Sequence, residues 1–281
     1  MTIRRASTGV QDQGMHLKRV LSVAVLLPPF ILLVQFGTPF QFFLLVSIAI
    51  LVGLYEFYAI AGAGGLRPLV PIGIAGGLAL GCLQFFGASV PWFTLALAGL
   101  VALVLTALLF AERDPKAAAS RAAITLLGIF YVGGLLSFPA ALRTMASGKT
   151  YIFYLALVTW ANDVGAFYVG STFGKKLLYP SISPHKTVEG GLGGLLCSVL
   201  ASFLARLWFW ERLGIAQCLS LGLGLGVMGQ VGDLCESMLK RSFGVKDTSS
   251  LIPGHGGLLD RIDSLLFTGP VLYLVVLAGW A

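Results

Sequence analysis

The chain reads as an all-α protein: a polytopic integral membrane bundle of about nine transmembrane helices with a cytoplasmic N-terminus. Three observations predict this. Of its 281 residues, 57% are hydrophobic and only 11% charged, whereas a soluble globular domain carries about 25% charged residues. The mean hydropathy of +0.90 is too high for a soluble core to hide. The apolar residues also fall in runs that reach the roughly 17–25 residues a helix needs to cross hydrocarbon. Helices are expected in these runs because an unclosed sheet would leave backbone groups unsatisfied in lipid.

The runs follow one another with short breaks. Residues 1–17 are polar, and Lys18-Arg19 precedes a first run over 20–36. This start resembles the basic region of a secretory leader, but Val20 to Phe36 lacks a small-x-small cleavage site, so a retained anchor is expected. A break at Gly37-Thr38-Pro39 leads to 40–60, Gly64-Gly65 precedes 69–87, and Pro91 opens 91–110. The charged run Glu112–Lys116 precedes 122–142, and Ser147-Gly148 precedes 151–170. A polar loop over 171–189 leads to 190–210 and 215–233, and a second over 234–263 leads to 264–280. Within one bundle, residues 1–150 are expected to be the lipid-facing and oligomerisation part. Residues 151–281, with both long loops, are expected to carry the chemistry.

Orientation follows from the basic residues. With the N-terminus inside, fifteen of nineteen Lys and Arg fall on the cytoplasmic side, and only Arg143, Lys149, Arg206 and Arg212 on the other. That is the positive-inside pattern, and it puts both polar loops in the cytoplasm. It also explains the net charge of +7 without a nucleic-acid partner. Cys82, Cys197, Cys218 and Cys235 are scattered without CxxC spacing, which supports neither a zinc site nor a disulfide framework.

Chemistry-bearing residues gather between Ser237 and Asp263. Asp233, Ser237, Lys240 and Arg241 follow one another in steps of three, four or one, along one helical face. Glu236 is a neighbour of that stripe. Lys246 and Asp247 follow, and then Pro253-Gly254-His255-Gly256-Gly257, a turn whose glycines allow close approach to a ligand. Its amides are of the kind that cradle phosphate oxygens. Asp260 and Asp263, three apart, point to one side of a helix and are placed to share a cation, with Arg261 beside them for a phosphate. Carboxylates that hold a divalent ion, beside cations that hold phosphates, are what phosphoryl or nucleotidyl transfer requires.

A second cluster lies upstream. Asp163, within Trp160-Ala161-Asn162-Asp163, is an acid inside the sixth run, which is costly unless paired or solvated. Gly174-Lys175-Lys176 lacks Walker spacing and reads as membrane anchoring. In Ser183-Pro184-His185-Lys186-Thr187-Val188-Glu189-Gly190, Lys186 and Thr187 are candidate phosphate or ribose contacts. Glu56, near the cytoplasmic end of the second run, either pairs with a basic residue or lines the site.

The block from Ser237 through Lys240-Arg241, Lys246-Asp247 and Pro253-Gly254-His255-Gly256-Gly257 to Asp260-Arg261-x-Asp263 closely resembles the signature of the phosphatidate cytidylyltransferases, the CDP-diacylglycerol synthases. Asp163 and Ser183-Pro184-x-Lys186-Thr187-x-Glu189-Gly190 resemble that family's second motif. The resemblance covers mainly residues 160–281; the earlier runs match only in hydrophobicity. It implies transfer from CTP to phosphatidic acid, giving CDP-diacylglycerol and pyrophosphate. It further implies magnesium, with room for a second cation, and a homodimer in a bacterial inner membrane with its site facing the cytoplasm.

On that basis Asp233, Asp260 and Asp263 are the expected metal ligands, with Asp163 a weaker candidate for the same centre. Lys186, Lys240, Arg241, Lys246 and Arg261 would neutralise the triphosphate and the lipid phosphate. Gly254, Gly256 and Gly257 would admit them closely, Ser237 and His255 would orient oxygens, and Thr187 would touch substrate. Two other readings compete: a CTP-dependent kinase or cytidylyltransferase acting on a polyprenol or another lipid phosphate, and a cation-coupled transporter using Glu56, Asp163 and Asp233. Charge gathered on one face and the lack of an inverted repeat weigh against transport.

Overall fold

The computed structural model describes residues 25–112, 114–251 and 256–280. Gly254 and His255, and the basic residues Arg4, Arg5, Lys18, Arg19 and Arg113 used for orientation, lie outside the described residues. The helices are α1 (Val25–Phe36), α2 (Pro39–Ala63), α3 (Val70–Phe85), α4 (Val90–Ala111), α5 (Pro115–Gly128), α6 (Phe138–Thr144), α7 (Gly148–Phe173), α8 (Val188–Trp208), α9 (Ile215–Ser242) and α10 (Leu259–Leu277). A π-helical turn, Ile129–Gly134, joins α5 to α6, and a two-stranded antiparallel hairpin, β1 (Leu177–Tyr179) and β2 (Ser183–Thr187), joins α7 to α8.

Six segments among the described residues are long and apolar enough to cross a membrane: α2, α4, the continuous α5–α6 stretch, α7, α8 and α9. The expected span over 69–87 is a 16-residue helix, α3, and the described part of the first, α1, is also short. The last, α10, starts on Leu259-Asp260-Arg261 and so carries its charges inside its first turns. Among the described residues the fold is therefore a helical bundle with six membrane-length helical segments.

The ends of the helices follow local chemistry. Thr38 caps α2 in a capping box with Gln41, with Pro39 in the first turn. Thr187 caps α8 by accepting from the Gly190 N–H at 3.1 Å. Arg143, buried near the opposite end of the bundle, donates to the carbonyls of Val34 and Gly37 at 3.2 and 2.7 Å and so satisfies the end of α1. The Tyr58 hydroxyl donates to the Thr125 carbonyl at 2.7 Å, fastening α2 to α5 just before the π turn.

Two further features position the site. First, α7 and α8 pack with backbones nearly touching: a Cβ on Gly190 would sit 2.8 Å from the Ala166 carbonyl, and one on Gly194 would sit 2.7 Å from Asn162 Oδ1. Small residues are what permit such an approach between membrane helices. Second, α9 does not stop at Asp233. It continues to Ser242, so Glu236, Lys240 and Arg241 extend the same helix, and the expected loop over 234–263 is helical at both ends.

Candidate active site

The C-terminal ends of α7 and α9, the starts of α8 and α10 and the β hairpin enclose a cavity of about 640 Å³. Its wall combines acids (Asp163, Asp233, Asp247, Asp260, Asp263) with cations (Lys186, Lys240, Arg261). Phe167 and Leu178 also line the cavity and are exposed. A polar chamber with an apolar rim admits a molecule that has both a charged and a greasy end.

Three carboxylates converge at the floor. Asp233 and Glu236 stand one turn apart on α9, and Asp263 faces them from α10; one ligand oxygen from each lies within 4.8 Å of the others. Glu236 and Asp263 are buried, and among the described residues the Lys240 ammonium is the one donor that reaches Glu236. Among the same residues Asp263 accepts only from the N–H of its neighbour Ser264, at 2.7 Å. Asp163 adds a fourth negative charge to the same field. Against these four stand Lys186, paired with Asp233 at 2.5 Å, and Lys240, paired with Glu236 at 2.5 Å. Like charges this close, with half as many counter-charges, are stable only with a further cation or a retained proton. The donor set is all oxygen, which suits magnesium or another hard divalent ion.

Asp260 is built differently. Its Oδ1 accepts from Lys240 Nζ at 2.6 Å. Its Oδ2 accepts from the Thr248 N–H at 3.0 Å, the Thr248 hydroxyl at 2.9 Å and the Gly257 N–H at 2.8 Å. It lies in the first turn of α10, outside the six membrane-length helices. Burial works to raise its pKa, but Lys240 and the backbone donors outweigh this and hold the carboxyl below its usual range. Oδ2 is thus fully engaged, while Oδ1, bound only to Lys240 among the described residues, keeps one lone-pair direction beside the cavity. Lys240 thus joins the two groups, bridging Glu236 of the floor to Asp260 of the loop.

The other expected residues divide. Lys186 and Thr187 line the cavity, as does His185. Arg261 is exposed, lines the cavity, and makes no side-chain hydrogen bond or ion pair among the described residues. Arg241 lies outside it and holds loops together, donating to the Ile182 carbonyl at 3.3 Å and the Val245 carbonyl at 3.2 Å. Ser237 and Lys246 are not part of the wall. Gly256, at φ +81°, and Gly257 face carboxylates: a Cβ on Gly256 would lie 2.8 Å from Asp260 Oδ2, and one on Gly257 would lie 2.8 Å from each Glu56 oxygen. Lys175 and Lys176 contribute backbone N–H groups to the Glu189 carboxylate at 3.0 and 3.2 Å.

Sequence reasoning passed over Glu236 as a ligand, Gln230 and the role of Glu56. Glu236 is three residues after Asp233 and four before Lys240, a spacing that marks it once α9 is known to continue. Gln230 donates to Asn162 Oδ1 at 3.0 Å and to the Gly191 carbonyl at 2.9 Å, tying α7, α8 and α9 together beside the cavity. Among the described residues Glu56 neither pairs with a basic residue nor lines the cavity; it accepts hydrogen bonds from a hydroxyl and backbone amides.

Fold and cavity together define an integral membrane helical protein with an acid-and-base chamber suited to phosphate chemistry. A profile of the Cytidylyltransferase family matches residues 17–278, and the chain belongs to that family. It is similar to proteins named phosphatidate cytidylyltransferase: 44% identical over 163 residues to one from Staphylococcus aureus, 43% over 157 residues to one from Staphylococcus haemolyticus, and 41% over 156 residues to one from Staphylococcus epidermidis. In each case the match covers 56% of this chain and 59% of the relative, so the chain spans under two thirds of the curated relatives it matches.

Proposed function

We propose that the chain transfers a cytidylyl group from CTP to phosphatidic acid, yielding CDP-diacylglycerol and pyrophosphate for phospholipid synthesis. The observation that carries this is the convergence of Asp233, Glu236 and Asp263, two of which line a cavity together with Lys186, Lys240, Arg261 and the exposed apolar Phe167 and Leu178. Family membership and the names of the relatives support the same reaction.

The nucleophile is the phosphate monoester of the lipid. Its second pKa near 6 leaves it largely dianionic at neutral pH, so no strong general base is required. One of its oxygens attacks the α-phosphorus of CTP; the new P–O bond forms as the bond to the β-phosphate breaks, and pyrophosphate departs with that electron pair. The obstacle is repulsion between anions, and basic side chains relieve it. Arg261, uncommitted elsewhere among the described residues, and Lys186 would clamp phosphate oxygens. Lys240 is held between Glu236 and Asp260 and keeps the two helices in register. Asp233, Glu236 and Asp263 would hold magnesium, which when bound neutralises phosphate charge and polarises the reacting phosphoryl group. Asp163, which lines the same cavity, would serve a second ion. Acyl chains would remain in lipid past Phe167 and Leu178, while CTP arrives from the cytoplasm.

The wider assignment is of the same standing: a bacterial inner-membrane enzyme, a homodimer, with residues 151–281 as the catalytic part. The direct test is turnover by purified protein with CTP labelled at one phosphate. Label appearing in lipid from the α-phosphate supports nucleotidyl transfer. Label from the γ-phosphate would make it a kinase, and uptake into vesicles without any lipid product would make it a transporter.

A further inference from the structure

We propose that Glu56, on α2 in the N-terminal half, is a positioning residue for this cavity: its carboxylate fixes the start of α10, and through it the placement of Asp260, Lys240 and Asp263. The inference rests on the cavity being the cytidylyl-transfer site. Glu56 is buried, and each of its oxygens accepts from one backbone amide. Oε1 takes the Leu258 N–H at 3.0 Å and also the Ser249 hydroxyl at 2.6 Å. Oε2 takes the Leu259 N–H at 2.8 Å, and Thr248 Oγ1, whose one proton goes to Asp260 at 2.9 Å, lies 3.4 Å away. Its partners lie about two hundred residues downstream, at separations of 192–203.

The first amides of a helix are unsatisfied and attract an anion. Here three consecutive ones are already taken by the protein's own carboxylates: Gly257 by Asp260, then Leu258 and Leu259 by Glu56. Gly257 thus makes room for an internal anion. A Cβ at Gly257 would lie 2.8 Å from both Glu56 oxygens, and the same atom would strike the Thr248 hydroxyl.

From there the contacts run without a gap: Thr248 Oγ1 reaches Asp260 at 2.9 Å, Asp260 meets Lys240 at 2.6 Å, and Lys240 meets Glu236 at 2.5 Å. Asp263 is one turn beyond Asp260 on the same helix, so a shift at the head of α10 reaches the acidic floor directly. Misplacement by about 1 Å is enough to cost on the order of 10²-fold in rate.

Glu56→Gln is the sharpest probe, because Leu258 and Leu259 donate to different oxygens. Whichever way the amide is turned, its NH₂ confronts a backbone N–H. The expected result is a kcat lowered at least ~30-fold and a Mn²⁺ affinity weakened about tenfold, the range seen when groups supporting a metal site are removed. Amide exchange across 256–263 is expected to accelerate while α7 and α8 stay protected. Wild-type kcat and Mn²⁺ affinity would overturn the proposal, whether or not exchange changed, since faster exchange alone means a structural cap. If Glu56→Gln does not fold, Thr248→Val decides by the same readouts: smaller losses in the same direction support it, wild-type values refute it. A wild-type protein inactive with CTP would instead sink the cytidylyl-transfer reading, leaving Mn²⁺ binding and exchange to judge Glu56.

Discussion

Two sets of buried carboxylates meet at the head of α10, and the protein treats them in opposite ways. Glu56 and Asp260 are surrounded by N–H and O–H donors until every oxygen is engaged. Asp233, Glu236 and Asp263 face one another, with two lysines between them and almost no hydrogen bonds. A carboxylate satisfied by backbone donors is an internal anchor, because its desolvation is already compensated. A set of carboxylates left under-compensated keeps its affinity for a ligand that the chain does not supply. Hydrogen-bond saturation, more than burial or spacing, separates scaffold from site here.

The largest expected effect comes from breaking the under-compensated set. Asp263→Asn or Glu236→Gln should lower pyrophosphate release from CTP and phosphatidic acid by about 10³-fold, the scale of losing a principal electrostatic contact in the transition state. Removing the link between the two sets comes next. Lys240→Met leaves Glu236 and Asp260 buried without their shared cation, which should cost about 3–5 kcal/mol of stability, read as a lower thermal midpoint in detergent. Lys186→Ala should be milder. Its pair with Asp233 is partly exposed, so the expected result is a KM for CTP raised on the order of tenfold with the thermal midpoint nearly unchanged. The smallest effect should be Lys175→Ala, within about twofold of wild type, because Lys175 engages Glu189 through its backbone N–H. A large loss there would mean the hairpin side chains reach substrate.

Much of this was legible in the residues. The hydropathy gave the helices, and the 233–241 stripe lies on one helix as its spacing implied. Lys186, Thr187, Asp163, Asp233, Arg261 and Asp263 all reach one cavity from four separate elements. The metal set was harder. Three-residue spacing puts Asp260 and Asp263 on one side of a helix, but it cannot weigh the free amides of the first turn. Those amides, with Thr248 and Lys240, claim Asp260 and leave Asp263 for the floor. Glu236 stands beside the stripe in the sequence but not among the expected ligands, because spacing does not show that Asp263 of α10 comes to face it. Glu56 was out of reach for a different reason: its partners are backbone groups about two hundred residues away, and no local pattern records them. Spans are least clear-cut where helices are short, as in α3, or begin with charge, as in α10.

The contrast between the two carboxylate sets is tested most directly by titrating Mn²⁺ into purified protein and counting bound ion by electron paramagnetic resonance. Asp263→Asn should lose the tight ion, while Asp260→Asn should keep it with weakened affinity. An Asp260→Asn protein that binds no ion, beside an Asp263→Asn protein that binds it as wild type does, would contradict the account.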